Sequence, residues 1–177
     1  MEQVRDPRVT LRRADRPGDL GWIVMAHGEL YDRQFGWGTA FETLVARIVA
    51  DYATTPPSAP QEAWIAEVDG ERAGCVMLVG DGQPGTARLR VLLVDPAARG
   101  LGLGTRLVET ALHFARASAY RRVTLWTTDN LLSARRIYQH FGFRLTDEKP
   151  HEGFGQGLLG QTWTLELPTA DRHPDSP

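Results

Sequence analysis

The feature that most restricts this chain is a glycine-dense turn set between a strand pattern and a helical one. Leu92-Leu-Val-Asp-Pro96 closes an aliphatic run. Arg99-Gly-Leu-Gly-Leu-Gly104 then leads into Leu107, Val108, Ala111, Leu112 and Ala115, which fall on one helix face. Glycine lets the backbone approach a guest closely, and a helix start adds unpaired N–H groups and partial positive charge. A strand, turn and helix in this order present several N–H groups to one anion, and a pyrophosphate suits that geometry.

The spacing narrows the chemistry. A phosphate-binding P-loop needs Lys and then Ser or Thr after its last glycine, whereas Gly104 is followed by Thr105-Arg106. Nucleoside triphosphate hydrolysis is therefore disfavoured. A dinucleotide fingerprint needs glycines at its first, third and sixth positions. Counting from Gly100 the sixth is Thr105, and counting from Gly102 it is Leu107, so neither start fits.

Elsewhere, residues 9–12 read as a first strand, and Asp19 as the cap of a helix through Leu20, Ile23, Val24 and His27. Glycines and interleaved aromatics then interrupt the pattern from His27 to Gly38. Thr39-Ala-Phe-Glu42 has capping-box spacing, and Phe41, Leu44, Val45, Ile48, Val49 and Tyr52 continue at helical intervals to near Asp51. Strands at 64–68 and 73–78 flank Asp69-Gly70, a dipeptide that favours a tight antiparallel hairpin, and 87–94 completes the meander. After the helix of the glycine turn come a strand at 123–127, a helix at about 131–141, and strands near 143–148 and 162–167. An antiparallel meander followed by alternating strands and helices predicts an α/β fold, with a mixed sheet carrying helices on both faces. The domain is expected over 9–167, after an N-terminal extension at 1–8 and before a polar, proline-bearing tail at 168–177 expected to be disordered.

With 177 residues, 42% of them hydrophobic, the chain can bury one core and is short for two. Its 20 Lys and Arg against 22 Asp and Glu leave a formal charge of -2, which gives no global field for a nucleic acid. No apolar run approaches the roughly 18–20 residues needed to span a bilayer, and the first residues have no leader pattern. Cys75 is the single cysteine, so no intrachain disulfide can form; in its apolar strand pattern it is expected as a small core residue. A cytoplasmic protein without membrane or nucleic-acid partners is expected.

Arg99-Gly-Leu-Gly102-Leu-Gly104 satisfies the pattern Arg/Gln-x-x-Gly-x-Gly/Ala, and about 30 residues further on stands Ala134-x-x-x-Tyr138-x-x-x-Gly142-Phe143. Together, in this order, the two segments resemble the acetyl-CoA motifs of the GNAT N-acetyltransferase family, and the resemblance runs from about 9 to 167. It implies the GNAT fold, a mostly antiparallel sheet of about seven strands with one splayed parallel pair. It also implies transfer of an acetyl group from acetyl-CoA to an amine, with no metal. More narrowly, the segments around 41–50, 89–108 and 155–167 resemble the acetyltransferase half of bacterial MarR-type regulator fusions. Because the chain begins at the first strand, no DNA-binding region is carried over.

By this resemblance the cofactor is held by Leu92, Leu93 and Val94 on the strand, and by Arg99, Gly100, Leu101, Gly102, Leu103, Gly104 and Thr105 in the loop and helix start. From the second motif come Asn130, Ser133 and Tyr138. The family commonly carries Asn where this chain has Leu131. Asn130 therefore reads first as a helix N-cap and only second as a pantetheine contact, with Ser133 as a partial substitute.

A main-chain N–H near Leu92–Val94 would stabilise the thioester oxyanion, and Tyr138 occupies the family's usual general-acid position. An amine titrating near 10.4 is only about one part in 10³ neutral at pH 7, a cost of roughly 4 kcal/mol, so a proton acceptor is required. Arg88 stands where one branch of the family has its catalytic Glu. The remaining candidates are Glu29, Glu67 and His151, or a water chain. Tyr31 and Trp37 are expected to wall the acceptor site. Strand alternation puts Arg88 and Arg90 on the face of Leu92 and Val94, where they could hold a carboxylate-bearing small-molecule amine. A protein lysine acceptor, a non-catalytic acyl-CoA sensor and a homodimer are left open.

Overall fold

The computed structural model describes residues 7–54, 56–155 and 157–168. Most of the expected N-terminal extension, and all of the expected tail but Pro168, lie outside them.

The elements follow in the order β1 (Val9–Arg13), α1 (Asp19–Phe35), α2 (Gly38–Thr54), β2 (Glu62–Val68), β3 (Glu71–Gly80), β4 (Thr86–Val94), α3 (Leu103–Ala117), β5 (Arg122–Thr128), α4 (Leu132–His140), β6 (Arg144–His151) and β7 (Leu158–Glu166). They form one seven-stranded sheet in the order β1-β2-β3-β4-β5-β7-β6. Every neighbouring pair is antiparallel except β4 with β5, which run parallel. The β2–β3 turn has positive φ at both Asp69 (51°) and Gly70 (84°), the combination a two-residue hairpin needs to match strand twist.

Helices cover both faces. On one, Leu107, Val108, Ala111 and Leu112 of α3 and Tyr138 of α4 pack with Val76, Leu78, Leu89 and Leu125 of the sheet. On the other, Ile23 and Leu30 of α1 and Val45 and Val49 of α2 cover Ile65, Cys75, Met77 and Leu93. Cys75 is fully buried and its thiol donates to the carbonyl of Val91 at 3.1 Å, in keeping with a core role.

Three local expectations are corrected. The helix at 19–27 does not stop at His27 but continues to Phe35. Gly28, which suggested a break, is a helical glycine whose missing Cβ leaves room for the Glu42 side chain of α2. The break comes at Gly36 and Gly38, with φ of 69° and 62°. Nor does Asp19 cap the helix. The N-cap is Gly18 in a left-handed conformation, and the fully buried Asp19 carboxylate instead binds Arg12 of β1 at 2.7 Å and Arg72 of β3 at 2.9 Å. The two guanidiniums hold that carboxyl well below the usual range. Similarly, α2 starts at Gly38, whose N–H donates to Asp32 at 3.1 Å, and the described residues form no capping-box bond at Thr39 and Glu42.

A bulge shapes the site. Registers run from Leu89↔Leu78 and Arg90↔Met77 to Leu93↔Cys75, so Val91 and Leu92 both stand against Val76. Val91 has φ 52°, a strained value for a β-branched residue. Beyond the bulge β4 bends, and its pairing with β5 ends at Leu89↔Leu125. The strands then splay, leaving main-chain groups of 90–94 on β4 and 126–128 on β5 unpaired across the gap.

Candidate active site

Two connected cavities meet at this gap. The larger, of about 630 Å³, is lined on one side by Leu92, Leu93, Val94, Arg99, Gly100, Gly102, Leu103, Gly104 and Thr105, and on the other by Asn130, Ser133 and Ile137. The smaller, of about 130 Å³, is lined by Tyr31, Trp37 and Phe41 on the helical side, by Arg88 and Arg90 on β4, and by Tyr138. Tyr31, Leu92, Leu131 and Ala134 border both, so the junction lies at the bulge in β4.

The larger cavity has the chemistry of an anion site. Gly102 caps α3 with φ 70°, Gly100 has φ 86°, and a Cβ at either would meet nothing within 4 Å. Glycine is required there by conformation rather than space. At Gly104 the reason is different: a Cβ would lie 2.6 Å from Cδ1 of Ile137, so this glycine lets α3 and α4 close together. The first intrahelical N–H to find a partner is that of Arg106, on the carbonyl of Gly102. The N–H groups of Leu103, Gly104 and Thr105 therefore face the cavity mouth with the positive end of a 15-residue helix behind them. These residues fit a pyrophosphate, with Arg99 alongside. Leu101 is an exception within the expected set, since it turns away and packs against the core beneath α3.

Asn130 does not cap α4. That position belongs to Leu131, without a side-chain bond, while Asn130 accepts the Thr128 hydroxyl at 2.6 Å and lines the cavity. Its amide nitrogen is thus available to a guest, the second of the two roles expected for it.

Arg88 and Arg90 do face the smaller cavity, but not for the reason that alternation gave. The bulge inserts one residue, so both project to the α1–α2 side with Leu93, opposite Leu92 and Val94. Neither guanidinium has an ion pair or hydrogen bond among the described residues. Glu67, expected as one partner, is held by Arg12 at 2.6 Å. Burial, followed by the proximity of Arg88, depresses the pKa of Arg90. Two adjacent, partly desolvated cations with no carboxylate in ion-pair contact among the described residues, Asp51 and Asp81 acting on Arg90 from further away, have the chemistry to receive an anion.

The expected proton acceptors fare differently. Glu29 is exposed on the solvent side of α1 and borders neither cavity. Glu67 is committed to its Arg12 pair. His151 is packed against Trp126 and Phe154, with ring centroids at 5.0 and 5.1 Å, and its Nε2 is buried without a partner. A side chain able to accept a proton that does line the smaller cavity is His27, taken from the sequence only as a helix-face residue. It follows Ile23 and precedes Tyr31 at intervals of four; a histidine in an apolar stripe was the available signal.

Tyr138 is 6% exposed and lines the smaller cavity, and its hydroxyl makes no hydrogen bond among the described residues. Burial, and secondarily the neighbouring Tyr31, push its phenol above the ordinary tyrosine value. Tyr31 is itself raised to about 12 by burial. An aromatic group of Tyr31, Phe35, Trp37, Phe41 and Phe154, with neighbouring centroids 4.6 to 6.0 Å apart, encloses this side.

Among the described residues no helix is long and apolar enough to cross a membrane. An uncharacterized N-acetyltransferase of Schizosaccharomyces pombe is 28% identical over 84% of this chain and 90% of its own length. Human N-acetylaspartate synthetase is 31% identical over 63% of this chain, and mycothiol acetyltransferase of Beutenbergia cavernae 36% identical over 48%. This chain spans only 36% and 29% of those two relatives. In fold it is similar to a GNAT-family acetyltransferase of Streptococcus pneumoniae (TM-score 0.71, 20% identity, 91% of this chain and 100% of that one). It is also similar to a Salmonella typhimurium protein solved with its cofactor acetyl-CoA (TM-score 0.65, 21% identity, 95% and 98%). The acetyltransferase (GNAT) family model matches residues 25–143, and the chain belongs to that family as an acetyl-CoA-dependent N-acetyltransferase.

Proposed function

We propose that this chain acetylates the primary amine of a small acceptor that also carries a carboxylate, by direct attack of the amine on the thioester of acetyl-CoA. The observation that carries the proposal is the unpaired Arg88 and Arg90 pair beside Tyr138 in a cavity of about 130 Å³. A carboxylate can be held bidentate by a guanidinium, which would aim the neighbouring amine. Two cations repel a polyamine or a lysine-rich peptide, and the cavity's size favours a small molecule over a polypeptide. The name of the N-acetylaspartate synthetases, which describes an N-acetylated amino acid as product, supports the same acceptor class. The narrower likeness to the acetyltransferase half of MarR-type fusions agrees with the chemistry and adds nothing about the acceptor.

In this reading the α3 N–H groups and Arg99 hold the pyrophosphate, and the unpaired edge of β4 lines the pantetheine arm. A main-chain N–H near Leu92–Val94 receives the developing oxyanion, and Tyr138 protonates the departing sulfur. The test is a panel of L-amino acids set against their decarboxylated amines, following free thiol. Amino acids are expected to be preferred. Arg88→Ala and Arg90→Ala should raise the amino-acid KM at least tenfold while leaving acetyl-CoA affinity within about twofold. If neither substitution separates an amino acid from its decarboxylated amine, the acceptor class is wrong; if no amine releases thiol, a sensing role replaces catalysis.

A further inference from the structure

We propose that His27 is the proton acceptor of the transfer step, taking the surplus proton of the attacking amine on Nε2. The inference rests on the acetyl-transfer reading but not on the acceptor's carboxylate.

Placement comes first. Helix α1 sets His27 one turn after Ile23 and one before Tyr31, and its ring lines the smaller cavity that Tyr138 and the β4 arginines also border. Nδ1 lies 2.7 Å from the carbonyl oxygen of Ile23. A carbonyl oxygen can only accept, so Nδ1 carries the proton and Nε2 of the neutral ring carries a lone pair. Nε2 has no protein partner among the described residues. Nor is it one of the buried side-chain atoms left without a partner, which are Thr127 Oγ1, Arg135 Nε and His151 Nε2. It therefore opens onto the cavity, where a guest can reach it. A packing histidine would leave that lone pair either bonded or sealed.

The surroundings keep the ring neutral. The titratable groups at the cavity are Tyr31 on the same helix, Arg88 and Arg90 on β4, Tyr138 on α4 and the Cys75 thiol on β3; behind its wall, Glu42 of α2 packs against Gly28 next to His27, and Asp51 of α2 and Asp81 act on Arg90. No carboxylate lines the cavity itself. Burial lowers the pKa of His27 to about 4, so the lone pair is free throughout the neutral range. A proton taken up there is also readily passed on.

The step balances as follows. The acceptor enters as a free amine, and its lone pair forms the C–N bond while the carbonyl electrons move to oxygen. As they return, the C–S bond breaks and its pair leaves on sulfur. Nitrogen gives its surplus proton to Nε2 of His27, and sulfur takes one from the Tyr138 hydroxyl. The products are an amide and a thiol, with an imidazolium and a phenolate left behind. Once the products leave, the imidazolium releases its proton to water and the phenolate takes one up, which restores both residues with no net change in protons.

Two acceptors test the idea: the best L-amino acid from the panel, and hydroxylamine, which is small and lacks a carboxylate. His27→Gln keeps an oxygen that can accept a hydrogen bond but cannot take a proton. It should lower kcat about 10²-fold or more with either acceptor. KM should change little, and acetyl-CoA affinity by calorimetry should stay within twofold. In His27→Ala, added imidazole should restore turnover saturably, a recovery that repacking alone does not give. Nitrogen-15 NMR of the wild-type histidines should show protonated Nδ1 and bare Nε2 for His27 from pH 5 to 8. Wild-type kcat in His27→Gln under chemistry-limited conditions, or a proton on Nε2, overturns the proposal. Transfer to hydroxylamine but to no amino acid removes only the carboxylate reading, and the same variants still decide the role of His27.

Discussion

At the scale of single residues, Tyr138 holds two properties together: its ring is packed and its hydroxyl is left to the cavity. The ring sits 5.8 Å from that of Phe143 at 58°, a contact phenylalanine can keep. Because burial raises the phenol, it stays protonated at every pH where the protein would be assayed and can deliver its proton when the thiolate departs. Tyr138→Phe should therefore lower kcat at least tenfold and leave acetyl-CoA affinity within about twofold. The loss should fall at or below the lower end of the 10²–10⁴ range of general acid catalysis, because a thiol with a pKa near 8.5 already leaves well. Stopped-flow acetyl transfer beside calorimetry separates the two effects; equal losses in both would make Tyr138 a packing residue. Tyr138 was legible because a motif spacing marked it. The carboxylate at Glu29 was misplaced because α1 continues through it to Phe35, which puts Glu29 on the helix's solvent side.

At the scale of elements, the turn between β4 and α3 makes the sharpest prediction. Gly102 sits at φ 70° with open space where a Cβ would go, so Gly102→Ala pays only backbone strain, about 1 kcal/mol. Gly102→Glu carries the same strain and adds a negative charge at the mouth of the anion site. Acetyl-CoA affinity should fall at least tenfold further in Gly102→Glu than in Gly102→Ala, with both variants folded by circular dichroism. Equal affinities would place the pyrophosphate elsewhere. This turn, the β2–β3 hairpin and α3 were legible because each is coded locally, by glycine position, by Asp69-Gly70 or by helical spacing. The bulge at Val91 was not. Nothing in Arg88-Leu-Arg-Val-Leu92 announces an extra residue, since the strain is stabilised by β3 and the helices packed across the sheet. Strict alternation therefore put Arg88 and Arg90 on the wrong face, although they still reach the cavity. The length of α1 was hidden for a related reason: Gly28 serves tertiary packing against Glu42 rather than a turn.

At the scale of the whole molecule, two buried ionisable groups on α1 tie global stability to pH, in separate windows. His27 is neutral in the fold, with its pKa lowered by burial from the ordinary 6.5 to about 4. Between those values the unfolded chain binds a proton that the native state does not, so stability is full above about pH 6.5 and falls as pH drops towards 4. A shift of this size corresponds to about 3 kcal/mol. Asp19 is the opposite charge type with the same sign of dependence. Its carboxylate is stabilised by Arg12 and Arg72, so its contribution is present above the ordinary aspartate value and is lost as pH falls through its lowered one. Urea unfolding from pH 8 to pH 3.5 should therefore show a decline that begins near 6.5 and steepens below about 4. His27→Gln should flatten the upper part selectively. Asp19→Asn should instead lower stability at pH 7 by about 3–5 kcal/mol, because it leaves two guanidiniums without their buried partner. An upper limb identical in wild type and His27→Gln would mean that His27 titrates normally in the fold. In that case a neutral ring at low pH could not be claimed for it, and the acid limb of turnover would have to begin near 6.5.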